Sequence, residues 1–421
     1  MGIGWGNDPR TGERKKRQRR KSGAGSPPQD RTTDQQTETS SPADHATKPP
    51  PDAATAAPAG GDARLKRRRR PNTDVYAAID LGTNNCRMLI ARPERGGGFR
   101  VIDSFSRITR LGEGLTATGR LSRVAQDRTI EALKRCADKM LRRGVTESRK
   151  VATEACRRAD NGHEFLDRVR SETGITLECI SADEEARLAL TGCASLLTRE
   201  RPYALVFDIG GGSTELLWVK LTDSPFPCVE GFATLPLGVV TVAEDCGGGD
   251  LSARTYQAVV ERVRRLLLPF EQRHNITEQI KRGAVQMLGT SGTVTTLGGI
   301  YLGLDRYDRS LVDGITMGFD DITLLSRQLA EMSHRQRADS PCIGPQRADL
   351  VLAGCAILEA ICSLWPMGRL TVADRGLREG MLMDLMAPSP ALLGAKALQG
   401  GKTEPLLVSV PPRAGTFKAH S

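Results

Sequence analysis

A short pattern that occurs twice constrains this chain more than any other feature. Val75–Ile79 is an apolar run that ends in Asp80-Leu81-Gly82-Thr83-Asn84 and gives way to a second run, Cys86–Ala91. At Tyr203–Phe207 the pattern returns, ending in Asp208-Ile209-Gly210-Gly211-Gly212-Ser213-Thr214-Glu215 before Leu216–Val219. Short apolar runs around a Gly-rich break read as strand, tight turn, strand. The copies superpose with Asp80 on Asp208, 128 residues apart. Two half-chains that open alike imply an internal duplication with a cleft between the copies.

The rest of the pattern agrees with a mixed α/β chain. A third strand is expected around Phe99–Ser106, and Leu121–Arg143 has helical periodicity with Val124, Ile130, Leu133, Met140 and Leu141 on one broad face. Strands at Lys150–Thr153 and Leu177–Ile180 flank a helix near Glu164–Glu172, and Glu184–Leu197 reads as a helix with Asp183 as its cap. Helices follow at Ala253–Arg273, Thr293–Leu302, Asp349–Leu364 and Leu377–Met386, with strands at Ala284–Leu288 and Leu370–Val372. The implied organisation is an arm at 1–74, one domain at 75–197, a second at 198–387 whose last helix packs back on the first, and a tail at 388–421.

Charge bounds the function. The chain has 421 residues and a formal net charge of +10. Residues 1–74 hold +7 of it and 388–421 the other +3, so the part between is neutral. A basic balance points to nucleic acid or anionic membranes, and here that inference reaches the ends alone. The arm is rich in Pro, Ala, Gly, Ser and charge, with basic runs at Arg14–Lys21 and Lys66–Arg70, and reads as disordered. A solvated extension is favoured over a nucleic-acid-binding one. The tail is similar, although Leu406–Val410 is apolar enough to dock. No stretch approaches the ~20 apolar residues of a membrane span, and the charged N-terminus lacks an apolar h-region, so it is not expected to act as a secretory signal. Ten scattered cysteines without a C-x-x-C pair argue against a zinc site or disulfide framework. A cytoplasmic location is expected.

The two turns carry the chemistry. A Gly-rich hairpin lets backbone approach an anion and aims N–H groups at it. Gly82, Thr83 and Asn84 in the first copy and Gly210, Gly211, Gly212 and Ser213 in the second are therefore candidate phosphate ligands. Asp80 and Asp208, each at a strand end, suit Mg²⁺ directly or through water, and Glu215 returns along the hairpin toward the same place. For one hairpin, a plain turn capped by its Asp is an equal reading; two matched copies weigh against it. A third element, Leu288-Gly289-Thr290-Ser291-Gly292-Thr293, leads from an apolar run into a helix, so Ser291, Gly292 and Thr293 could present N–H groups to an anion. Glu184 and Glu185 open a helix, where the dipole alone would favour acids.

These segments, taken in order, resemble a known family. They are Asp80-Leu-Gly-Thr-Asn-Asn, Arg110-Leu-Gly-Glu-Gly-Leu, Ala152-Thr-Glu-Ala-Cys-Arg157, Ile180-Ser-Ala-Asp-Glu-Glu-Ala-Arg187, Asp208-Ile-Gly-Gly-Gly-Ser-Thr-Glu215, Gly289-Thr-Ser-Gly-Thr293 and Asp374-Arg-Gly-Leu-Arg-Glu-Gly380. Together they resemble the exopolyphosphatase / guanosine pentaphosphate phosphatase (Ppx/GppA) family over about 75–387. The resemblance implies two ribonuclease-H-like domains of the actin, sugar-kinase and Hsp70 superfamily around a central cleft. It implies Mg²⁺-assisted release of terminal phosphate from polyphosphate, guanosine pentaphosphate or both. It places the general base on Glu185 and a phosphate clamp on Arg157, for which a surface ion pair is the competing role. Family members are often dimers, which makes a homodimer one implied arrangement. The chain departs from the pattern at Thr83-Asn84-Asn85, Ala182 and Arg158, and resembles the short form lacking a C-terminal HD-type domain. An ATP-dependent kinase or ATPase of the same superfamily, and a sensor that binds without turnover, are the competing functions.

Overall fold

The computed structural model describes residues 74–387 apart from 96, 224–226 and 249, together with the strand Leu406–Leu407. The N-terminal arm and the tail around that strand, read above as unstructured, lie outside the described residues. Two sheets organise the chain. The first contains β1 (Tyr76–Leu81), β2 (Asn85–Pro93), β3 (Phe99–Ile108), β4 (Glu147–Ala152) and β5 (Glu178–Cys179), in the order β3-β2-β1-β4-β5. The second contains β6 (Tyr203–Ile209), β7 (Thr214–Lys220), β8 (Cys228–Leu235), β9 (Val285–Thr290), β10 (Thr316–Gly318), β11 (Arg369–Ala373) and β12 (Leu406–Leu407), in the order β10-β11-β9-β6-β7-β8-β12.

The duplication is visible in the pairing. β1 pairs antiparallel with β2 and parallel with β4; β6 does the same with β7 and β9. Asp80 lies opposite Arg87 across the first hairpin, and Asp208 lies opposite Glu215 across the second. The repeat therefore sets a cation in one lobe against a carboxylate in the other.

Both strands that lead into the turns are central, so both their faces must be covered, which explains near-continuous apolar runs in place of alternation. Ala77, Ile79 and Leu81 pack with Ile130, Leu133 and Phe165, from the helices Arg123–Arg143 and Gly162–Thr173. Tyr76 and Ala78 face the other way, against Leu188, Met381 and Leu382. Leu188 lies on the helix Ala182–Cys193, whose Ala186, Leu190 and Cys193 pack on Ala204 and Val206 of β6. That one helix thus lies on both sheets. The helix Leu377–Met386 crosses it so closely that a Cβ at Gly380 would come 2.0 Å from the Leu188 carbonyl, and one at Gly192 2.0 Å from that of Gly376. Only glycine permits that approach. Beside it, Arg187 pairs with Glu184 and Asp384, and Arg149 with Glu184, fastening the returning helix to the first lobe.

Two local expectations are corrected. The helix at 182–193 is capped by Ser181, whose hydroxyl accepts from the Glu184 N–H, and not by Asp183. Val124 and Leu141 were expected on the packed face of Arg123–Arg143 but are 64 % and 83 % exposed. Val124 lies about 120° round the helix from Ile130 at 100° per residue, and Leu141 sits in the last turn. At the other end, β12 adds parallel to β8, so the backbone of Leu406–Leu407 docks there; the rest of the expected stretch Leu406–Val410 lies outside the described residues. Among the described residues no helix is long and apolar enough to cross a membrane.

Candidate active site

The turns after β1 and β6 are built alike: the Gly82 N–H donates to the Asn85 carbonyl and that of Gly210 to the Ser213 carbonyl, each at 2.9 Å. They face one another closely. A Cβ on Gly212 would lie 2.8 Å from Thr83 Oγ1, and one on Gly211 3.2 Å from the Asn84 nitrogen. The Gly210 and Gly211 carbonyls accept from Val239 and Val240 N–H at the start of the helix Val239–Asp245. Because a trans peptide is planar with its N–H opposite its carbonyl, the Gly211 and Gly212 N–H groups are turned away from that helix. Both turns line a cleft of about 570 Å³.

The third Gly-rich segment reaches the same cleft. Ser291 precedes the helix Gly292–Tyr301 with φ of 120°, a region that L residues rarely occupy, and Ser291, Gly292 and Thr293 all line the cavity. Buried hydroxyl or amide oxygens of Asn84, Asn85 and Ser291 have no hydrogen-bond partner in the protein. Such groups are costly unless something else pairs with them, and these three share one cavity.

The carboxylates gather behind the turns. Glu185, in the first turn of its helix, receives Arg157 Nη1 at 2.8 Å, while Arg157 Nη2 reaches Glu154 at 3.1 Å. Burial, opposed by Arg157 but aided by Asp80 and Asp208, pushes the Glu185 carboxyl up to about 7. Burial likewise raises Asp80 despite Arg87 and Arg378, and pushes Asp208 up to about 6 against the pull of Arg87 and with the help of Asp80. Glu184 points elsewhere. Despite its burial, Arg187 and Arg149 hold it below the usual carboxylate range.

Two candidates stand apart from the cleft surface. Glu215 lies behind it, in a small void shared with Glu185 and Asp208, and accepts from the Ser213 and Thr234 hydroxyls. Burial and the neighbouring Glu185 and Asp208 raise it well above the ordinary value. Arg157 is occupied by Glu185, Glu154 and the Ile180 carbonyl, and its side chain is 18 % exposed. The remaining candidates, Asp80, Gly82, Thr83, Asn84, Glu185, Asp208, Gly210, Gly211, Gly212, Ser213, Ser291, Gly292 and Thr293, share the cavity wall.

The donor set can be tested against a divalent cation. Asp80 and Asp208 stand at equivalent positions, and the Asp80 carboxylate raises the affinity of Asp208 for a proton. Among the described residues no three His, Cys, Asp or Glu side chains converge to chelate an ion alone. This arrangement fits Mg²⁺, which keeps several waters and uses one or two carboxylates plus phosphate oxygens. It does not fit a dehydrated, all-protein cage.

Sequence reasoning missed the cations of the cleft wall. Arg87, Arg309, Arg347 and Arg378 line the cleft, as do Tyr307, Asp374 and Glu379. Arg309 pairs with Glu379, and the Tyr307 hydroxyl donates to Asp374 at 2.6 Å. Arg87 had a signal, being the repeat mate of Glu215. Arg378 and Glu379 lie within the last matched segment. Tyr307 and Arg309 come from the segment before β10, where Arg309 opens the short helix Arg309–Val312, with no distinguishing pattern.

Comparisons with known proteins give the family and the fold. Residues 89–388 match the Ppx/GppA phosphatase family. The chain is 31 % identical over 320 residues to a protein of Vibrio vulnificus (strain YJ016) named guanosine-5'-triphosphate,3'-diphosphate pyrophosphatase, covering 75 % of this chain and 60 % of that relative's length. The crystal structure of an Aquifex aeolicus Ppx/GppA family member matches with a TM-score of 0.58 at 28 % identity, over 74 % of this chain and 97 % of that one. An exopolyphosphatase from Cytophaga hutchinsonii, at 22 % identity, shares the fold with a TM-score of 0.67 over 74 % and 97 % of the two chains. Its paired α/β sheets are those of the actin-like superfamily, and the chain belongs to the Ppx/GppA phosphatase family.

Proposed function

We propose that this protein hydrolyses a terminal phosphoanhydride, releasing orthophosphate from guanosine pentaphosphate, inorganic polyphosphate or both. The observation that carries the reading is Glu185, a carboxyl pushed up to about 7 on the wall of a cleft between two facing Gly turns. A general base is most useful when its pKa lies near the working pH. In this reading Glu185 orients a water in line with the scissile bond and takes its proton. N–H groups of Gly211 and Gly212, with the hydroxyl of Thr83, hold the terminal phosphoryl oxygens. Arg157 keeps Glu185 aligned. Asp80 and Asp208 would hold Mg²⁺, which when bound would supply positive charge to the phosphate chain.

The Vibrio relative's name supports a guanosine substrate, and the names of the solved neighbours support polyphosphate. No comparison favours an ATP-dependent kinase. Phosphate release from long polyphosphate, guanosine pentaphosphate and ATP, each with and without Mg²⁺, tests the proposal. Release from one of the first two that is lost in Glu185→Gln while binding persists is the expected result. Binding without release from any of them would make the protein a sensor instead.

A further inference from the structure

The loop 109–114, which follows β3 in the first lobe, reaches across to the second lobe. On its inner side it is fastened to the first Gly turn: Thr109 and Arg110 N–H both donate to the Asn84 carbonyl, and Gly112 N–H to that of Thr83. The contact is tight, since a Cβ on Gly112 would lie 2.3 Å from Thr83 Cγ2. On its outer side the loop reaches the second lobe at two points. Arg110 Nη2 lies 2.9 Å from Asp349 Oδ2 and 3.3 Å from the Gln346 carbonyl, and the Gly114 N–H donates to Glu244 Oε1 at 2.8 Å. Arg110 has a left-handed backbone, φ of 48°, uncommon for a residue of its size. Arg128 pins that conformation by donating to the Thr109 carbonyl and pairing with Glu113. Asp349 follows Arg347, a cleft-lining cation, by two residues.

From this geometry we infer that Arg110 and Asp349 form a clasp that holds the lobes closed and is rigidly coupled to the phosphate turn Thr83–Asn84. They are positioning residues. Neither lines the cavity, and both act through residues that do. A clasp of this kind favours the state in which the turns face each other, and so sets the fraction of molecules ready to grip a phosphate chain. Apparent affinity scales with that fraction. A partly exposed ion pair of this type changes an equilibrium by roughly two- to five-fold. This role rests on the proposed phosphohydrolase reading for its kinetic consequence, although not for its structural one.

The test is charge exchange: Arg110→Glu, Asp349→Arg and the double variant, with Glu244→Gln as a separate probe of the second contact. Backbone hydrogen–deuterium exchange of segments 82–85 and 109–114 is measured without substrate, and kcat and KM for the phosphate-release substrate are measured alongside. Each single reversal should speed exchange in both segments and raise KM by roughly two- to five-fold, with kcat almost unchanged. The double variant should return both toward wild type. If a reversal fails to fold, Arg110→Gln and Asp349→Asn should show the same direction at smaller amplitude. Unchanged exchange in every single variant, or effects that add in the double variant, would overturn the clasp. Compensated exchange in a protein that releases no phosphate would retain the clasp and sink the proposed activity.

Discussion

Replacing Arg157 by Gln separates two roles that the same side chain could play. Arg157 Nη1 donates to Glu185 at 2.8 Å and to the Ile180 carbonyl, and Nη2 reaches Glu154, so the guanidinium acts first on the base. Burial raises Glu185 to about 7, and Arg157 is the leading influence that opposes the rise. A hydrogen bond to a charged group is worth about 1.5–3 kcal/mol, and one pH unit corresponds to about 1.36 kcal/mol. Losing Arg157 should therefore carry the carboxyl upward by about one to two units. The sign follows directly: the working base is the deprotonated form, so activity rises with pH through its pKa. In Arg157→Gln the acid limb of kcat/KM should move from near pH 7 to about 8–9. At pH 7 the ionised fraction would fall from about one half to about 1–10 %, a rate loss of about five- to fifty-fold that alkaline pH recovers. The assay is a phosphate-release pH profile from 5.5 to 9.5 at fixed Mg²⁺. A clamp on substrate phosphate would instead raise KM at all pH values, and an acid limb that stays in place would refute the reasoning.

Other consequences can be measured on the same protein. Gly380→Ala places a methyl 2.0 Å from the Leu188 carbonyl and must push the crossing helices apart, so a loss of about 1–3 kcal/mol is expected in urea unfolding. Trp365 is fully buried and its Nε1–H donates to Glu271, so Trp365→Ala should cost about 3–5 kcal/mol by the same measurement. Glu185 binds its proton more tightly in the folded protein than the ordinary value of 4.5 would allow. Its contribution to stability is thus present below about pH 4.5 and lost as pH rises through about 7. Glu185→Gln removes that dependence, and its Tm relative to wild type should be higher at pH 8 than at pH 5. Equal differences at the two values would contradict the raised carboxyl. Asp80→Asn should weaken the dependence of activity on Mg²⁺ concentration more than it lowers stability, read by titrating Mg²⁺ into the phosphate-release assay.

Much of the site could be read in advance because it is made of backbone. A Gly-rich turn between two apolar runs leaves a local trace, and its repetition after 128 residues tied two distant segments to one cleft. The strand pairings show the same symmetry, down to Asp80 and Asp208 in matching registers. The cations were less visible. Arg309, Arg347 and Arg378 meet in the cleft through contacts between segments far apart in sequence, and a single arginine looks the same whether it faces water or a ligand. Periodicity misled at Leu141 because it gives the face of a helix but not where its neighbours end, whereas Val124 stands about 120° off that face. In the sequence, only the family resemblance separated Glu185 from Glu184. Their separation follows from one helical step of about 100°, which gives Glu184 to Arg187 and Arg149 and Glu185 to Arg157.

The most direct test of the central claim is Mg²⁺-dependent release of orthophosphate from guanosine pentaphosphate and long polyphosphate by the wild-type protein and Glu185→Gln, with equilibrium binding of each substrate to both. The account predicts release by the wild type from at least one substrate. In Glu185→Gln it predicts near-complete loss of release with binding retained. Undiminished release by Glu185→Gln, or no release by the wild type from either substrate, would contradict it.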